Sequence, residues 1–168
     1  MQPRRLLLVR HAKAAHGGVD ADRPLTERGK RQAAGIGSWL GRTGLAPDRV
    51  VVSPARRAVQ TWKGAGAPLV TALRPVVDAR IYDNTVEALL ATIRETPEDV
   101  RTLAVVGHNP SIGELARVLD DGQGDPAALR EVDAGFRTGG VAVFLLPSPF
   151  SAIAPGGATL SDFTLPDD

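Results

Sequence analysis

The sequence predicts one α/β domain, residues 1–168, built around a mostly parallel sheet. Short aliphatic runs, LLLV at 6–9, VVV at 50–52 and LAVV at 103–106, read as strands buried on both faces. Between them apolar residues recur at helical spacing, so strand and helix signals alternate along the chain. The length of 168 residues suits one domain with a full core, and no repeat, low-complexity block or obvious linker interrupts it.

In chain order, the first strand runs into 14–24, a Gly- and Asp-rich loop. Thr26 can cap a helix on which Ala33, Ile36, Gly37 and Leu40 share one face, ending near Gly41 or Gly44. The second strand stops at Ser53-Pro54, which opens a helix with Ala58, Thr61 and Trp62 on one side, broken at 64–68. Residues 74–81 read as extended, and Val86, Leu89, Leu90 and Ile93 form the stripe of a third helix. After the third strand, Asn109 is placed to cap and Pro110 to begin a helix that buries Ile112, Leu115, Ala116 and Leu119. Residues 120–128 read as loop and 140–146 as strand. The turn signal Pro155-Gly156-Gly157 then predicts a final hairpin.

Composition narrows the function classes. Aromatics are 4% of the chain, so the core rests on Ala, Val, Leu and Ile. A net charge of +1 gives no global attraction for nucleic acid or an acidic membrane, so any affinity for anions must be local. The absence of cysteine excludes disulfides, thiolate metal sites and a cysteine nucleophile. The basic start is followed by too few apolar residues for a signal-peptide core, and no later run reaches membrane-spanning length, which reads as cytoplasmic.

Parallel strands present their carboxyl ends along one edge, where binding crevices form. Three of the predicted strands end in polar residues: Arg10-His11, then Ser53-Pro54-Ala55-Arg56-Arg57, then Gly107-His108-Asn109. Arginine offers a planar fork of donors matched to phosphate oxygens, and a neutral imidazole beside it can act as a nucleophile. Taken alone, Arg10-His11 also reads as a surface pair, Arg23 as a solvated loop residue, His108 as a structural histidine and His16 as ordinary surface. Together Arg10, Arg23, Arg57, His11 and His108 would make a cationic cluster in a nearly neutral chain, as a phosphoryl group requires. Arg56 and Arg57 open a helix, where positive charge opposes the helix dipole unless an anion or acid lies near. The three histidines lack the i, i+4 spacing of a zinc site.

The segments RHAKAA, RPLTERG, SPARRAVQT and GHNPSI, in this order and spacing, resemble the histidine phosphatase superfamily. The short length and the RPLT segment resemble its SixA-type phosphohistidine phosphatases. The likeness covers 6 to about 119 and continues loosely into 138–146. It implies a three-layer α/β/α fold similar to phosphoglycerate mutase, no metal or other cofactor, and His11 as the nucleophile that is transiently phosphorylated. It implies Arg10 and Arg57 as phosphate-binding arginines, with Arg57 chosen over Arg56 because the motif arginine directly precedes the alanine of RAVQT. His108 matches the second histidine, and Arg23 a further arginine of the SixA-type pocket. Ala12 stands where much of the superfamily has glycine; the methyl group removes no reacting atom.

The substrate turns on a general acid. Breaking an alkyl phosphate releases an alkoxide that needs a proton, whereas imidazole, with a conjugate-acid pKa of about 6.5, can carry its own proton on the ring and leave readily. Candidate acids between the second and third strands are Asp78, Asp83, Glu87 and Glu95, of which Asp83, beside Tyr82, is the best placed. The mutase-like setting of a glycine-flanked glutamate is absent, and the short loops leave little room for an enclosing cap. The expected activity is hydrolysis of phosphohistidine on proteins, with histidine-containing phosphotransfer domains as partners. The alternatives are a phosphatase of a small phosphorylated metabolite or nucleotide, and a non-catalytic module that binds phosphate or phosphohistidine.

Overall fold

The computed structural model describes residues 3–69 and 73–166. Its strands are β1 (Arg4–Arg10), β2 (Arg49–Val52), β3 (Val76–Val77), β4 (Thr102–Gly107), β5 (Val141–Leu146) and β6 (Thr159–Thr164). They form a six-stranded sheet in the order β3-β2-β4-β1-β5-β6. The first four run parallel to one another, and β5 lies antiparallel against both β1 and β6.

Side chains alternate across the sheet and feed two cores, which makes the fold the expected three-layer α/β/α arrangement. Leu7, Val9, Val50, Val52, Ala104 and Val106 face helices α1 (Glu27–Thr43) and α2 (Arg56–Gly66). Leu6, Leu8, Val51, Leu103 and Val105 face the opposite layer. That layer holds α3 (Ala79–Tyr82), α4 (Val86–Arg94), α5 (Ser111–Leu119) and α6 (Pro126–Ala134).

Helix α1 starts where Thr26 accepts from the Gly29 amide and ends at Gly44 in the left-handed region, as expected. Gly29 is required for another reason. A Cβ there would lie 2.0 Å from the Lys13 carbonyl oxygen, so only glycine lets the helix start seat against the chain leaving β1. The Thr26 amide donates to that same carbonyl at 3.0 Å.

The structure corrects the sequence reading in several places. Residues 74–81 are not one extended run: only Val76–Val77 pair as a strand, and Asp78 then caps the single turn of α3 through the Arg80 amide. The stretch read as loop through 128 already contains the start of α6. There Asp125 accepts from the Ala128 amide and Pro126 takes the first turn, but only Ala128 and Val132 are buried, which leaves too thin a stripe to register. Helix α2 begins at Arg56 rather than at Ser53-Pro54, with Ala55 as its cap. Helix α5 begins one residue after Pro110, while Asn109 still caps through its side chain, accepting from the Gly113 amide at 3.1 Å. The final hairpin exists as β5 and β6, joined by a long connection that includes the short turn Phe150–Ala152.

The topology fixes where a site can form. Neighbouring strands β1 and β4 send their chains to opposite layers, β1 toward α1 and β4 toward α5. Such a divergence opens a crevice at the carboxyl ends of the two strands. Register puts Arg10 opposite Gly107, so the next residues, His11 and His108, emerge side by side.

Candidate active site

A cavity of about 280 Å³ opens at this crevice, and Arg10, His11, Arg23, Arg57 and His108, all named from the sequence, line it. Its wall is completed by Lys13, Ala14, His16, Asn84, Asn109 and Thr138. A larger groove of about 490 Å³ beside Val59, Trp62, Leu69 and Leu73 is apolar and holds none of these five residues.

His11 follows the end of β1 and is buried. Its Nδ1 lies 2.8 Å from the Ala12 carbonyl oxygen. A carbonyl can only accept, so Nδ1 carries the proton and the Nε2 lone pair stays free. Ala12 is itself fixed, because its amide donates to Thr61 Oγ1 at 2.9 Å and the Thr61 hydroxyl donates to the Arg57 carbonyl at 2.7 Å. Burial, with Arg57, Arg10 and Arg23 adding like charge, lowers the His11 pKa to about 4 even though the Ala12 bond opposes it. At neutral pH the ring is uncharged, and its Nε2 lone pair is chemically able to attack an electrophile.

His108 follows β4, its ring centroid 5.2 Å from that of His11. Burial first, then His11 and Arg57, lower its pKa to about 3. Its Nε2 lies 2.8 Å from Ser53 Oγ, an oxygen that already accepts from the Ala55 amide. The serine hydroxyl thus links the His108 ring to the start of α2.

The two arginines are braced alike. Arg10 Nη1 donates to the Phe136 carbonyl at 2.9 Å, and Arg57 Nη1 to the Asp20 carbonyl at 2.8 Å. In both, Nε is buried without a protein partner, as is Nδ1 of His108. The guanidinium groups of Arg10 and Arg57 and the ring of His108 line one cavity, bringing positive charge and N–H donors of the kind that suit an oxyanion. Arg23 reaches the cavity from the 14–24 loop, its Nε donating to the Ala15 carbonyl at 2.7 Å. Arg56 instead reaches toward the Asp22 carbonyl at 3.4 Å and does not line the cavity, whereas Arg57 does.

Asp83, the best placed acid on sequence grounds, is exposed at the end of α3 and does not line the cavity; nor do Asp78, Glu87 or Glu95. Its neighbour Asn84 does, with a left-handed backbone (φ 63°) and its amide side chain tied to the Asn109 carbonyl and the Ser111 amide. His16, read as ordinary surface, is exposed but lines the cavity mouth. Asp20, Ser53 and Thr61, which hold the reacting groups, had no signal in the sequence beyond their closeness to it. Among the described residues, no cluster of three or more His, Cys, Asp or Glu side chains is arranged to hold a metal ion. No helix there is long and apolar enough to cross a membrane.

The family model of the histidine phosphatase superfamily (branch 1) matches residues 6–83. An uncharacterized protein of Mycobacterium tuberculosis H37Rv is 37% identical over 163 residues, covering 94% of this chain and 99% of its own. Phosphohistidine phosphatase SixA of Escherichia coli K12 is 30% identical over 130 residues, 72% of this chain and 77% of its own. A solved structure from Nakamurella multipartitia, described as of SixA type, superposes with a TM-score of 0.84 at 33% identity, covering 99% of this chain and 98% of that one. With the fold and the paired histidines at the β1 and β4 ends, these likenesses define a phosphatase of the phosphoglycerate mutase-like fold. The chain belongs to the histidine phosphatase superfamily, and within it to the neighbourhood of SixA.

Proposed function

We propose that residues 1–168 act as a single, metal-independent phosphatase domain that hydrolyses phosphohistidine on proteins in the cytoplasm. Histidine-containing phosphotransfer domains are the expected partners. The observation that carries this reading is the lining of the cavity, which contains arginines, histidines, a lysine and amides but no Asp or Glu. The nearby carboxylate of Asp20 is held well below the usual carboxylate range, first by the Tyr82 hydroxyl and then by Arg23 and Arg57. It stays ionised at neutral pH and has no proton to give to a leaving alkoxide. A leaving imidazole has no such need. The phosphohistidine phosphatase of Escherichia coli is a relative, which favours the same substrate class.

In the proposed cycle His11 Nε2 attacks phosphorus and forms an N–P bond while the P–N bond to the substrate ring breaks; that ring, protonated on its other nitrogen, takes the bond's electron pair and leaves as neutral imidazole. Charge on the transferring oxygens is met by Arg10, Arg57 and Arg23, with His108 beside them. Water then attacks phosphorylated His11, releasing inorganic phosphate and the free ring. The test compares kcat/KM on a phosphohistidine protein and on an alkyl phosphomonoester, with His11→Ala as the blank. Preference for phosphohistidine and a dead blank are expected. Preference for the ester would overturn the substrate class, and an active blank would overturn the mechanism.

A further inference from the structure

Arg57 is a buried cation in the first turn of α2, a turn that contains no acidic residue of its own. The helix dipole opposes it there, so its placement needs an anion from elsewhere. Asp20, on the short turn Asp20–Asp22 of the loop between β1 and α1, supplies one. Its carbonyl accepts from Arg57 Nη1 at 2.8 Å and its Oδ2 from Arg57 Nη2 at 3.1 Å. Its other carboxylate oxygen, Oδ1, accepts from Arg23 Nη1 at 3.1 Å. The Tyr82 hydroxyl donates to Oδ2 at 2.5 Å, and the same tyrosine ring stands edge-on to His108 with centroids 5.7 Å apart.

Both arginines line the cavity while Asp20 does not. The carboxylate therefore grips both guanidinium groups from outside the cavity they line. It also offsets the repulsion between two guanidinium groups that a phosphoryl oxygen must find together. We infer that Asp20, steadied by Tyr82, is a positioning residue that holds Arg57 and Arg23 in the geometry that meets the phosphoryl group. The inference rests on the reading of Arg57 as a phosphate-binding residue.

The experiment is a double-mutant cycle on the full chain, read as kcat/KM on a phosphohistidine protein and as competitive inhibition by inorganic phosphate. Asp20→Ala should lower kcat/KM and weaken phosphate inhibition, each by about tenfold, the lower end for a residue that orients a ligand-binding group. Asp22→Asn removes one negative charge from the same turn and should leave both quantities within about twofold. Because Asp20 acts through Arg57 and Arg23, Asp20→Ala on top of Arg57→Ala should cost less than it does in the wild type, the remainder being its hold on Arg23. Losses that multiply, a wild-type Asp20→Ala, an equal effect from Asp22→Asn, or tighter phosphate inhibition would each overturn the inference. Full activity in Arg57→Ala would instead remove the reading beneath it.

Discussion

The neutrality of His11 has a thermodynamic signature that does not depend on knowing the substrate. The folded ring has a pKa of about 4, against 6.5 for an unperturbed histidine. At about 1.4 kcal/mol per pH unit, that difference is on the order of 3 kcal/mol. The sign follows from proton counting. Below about pH 6.5 the unfolded chain binds a proton at this residue, while the folded ring stays neutral until about pH 4. The contribution is fully present above pH 6.5 and is lost as the pH falls toward 4. Integrated from pH 7 to pH 4.5, the loss is about 2 kcal/mol. Urea unfolding at these two pH values, on the wild type and on His11→Gln, isolates it. His108 shifts in the same sense, but its first cause, burial, is common to both proteins and only the lesser share from His11 is not. The wild type should lose about 2 kcal/mol more than the variant over this interval. Parallel losses would show that the folded ring is not held neutral, and the picture of a nucleophile prepared by burial and arginines would fall.

Two further outcomes follow from the support of the nucleophile. Thr61→Val strands the buried Ala12 amide, and should destabilise the fold by about 1–3 kcal/mol and lower kcat, with Thr61→Ser restoring both; urea unfolding and steady-state kinetics check it, and a Val variant equal to wild type would sever Thr61 from the site. Gly29→Ala puts a methyl group against the Lys13 carbonyl, so a lower Tm, from about 1–3 kcal/mol of strain, is expected with reduced kcat/KM; an unchanged Tm would mean the start of α1 yields freely.

What could be read in advance divides along a physical line. The aliphatic runs at 6–9, 50–52 and 103–106 are buried on both faces and announce themselves, and the stripes of α1, α4 and α5 repeat at helical spacing. Because parallel strands end on one edge, Arg10, His11, Arg57 and His108 could be gathered into one site before any strand order was known. The order itself, with β4 inserted between β2 and β1, is a long-range choice with no local signature. The same holds for Asp20 and Tyr82, which meet across 62 positions of chain, and for Asn84, whose side chain ties α3 to the start of α5. Such partners lie in loops, where neither period nor cap gives them away. Asp83 misled for that reason: its neighbour Asn84 faces the cavity, and a difference of one residue in a loop is invisible to pattern.

The orphaned nitrogens of Arg10, Arg57 and His108 bear on more than recognition. Hydrogen-bonding capacity that folding leaves unused in the interior weighs against the native state, and mutual repulsion among the cations adds to the burden. An arriving oxyanion relieves the repulsion, so occupancy and conformational stability rise together by mass action. The protein is thus least at ease with itself at the place where it meets its ligand. Sequences selected only for a higher melting temperature would drift toward neutral side chains here, so three arginines around one cavity trade stability for chemistry.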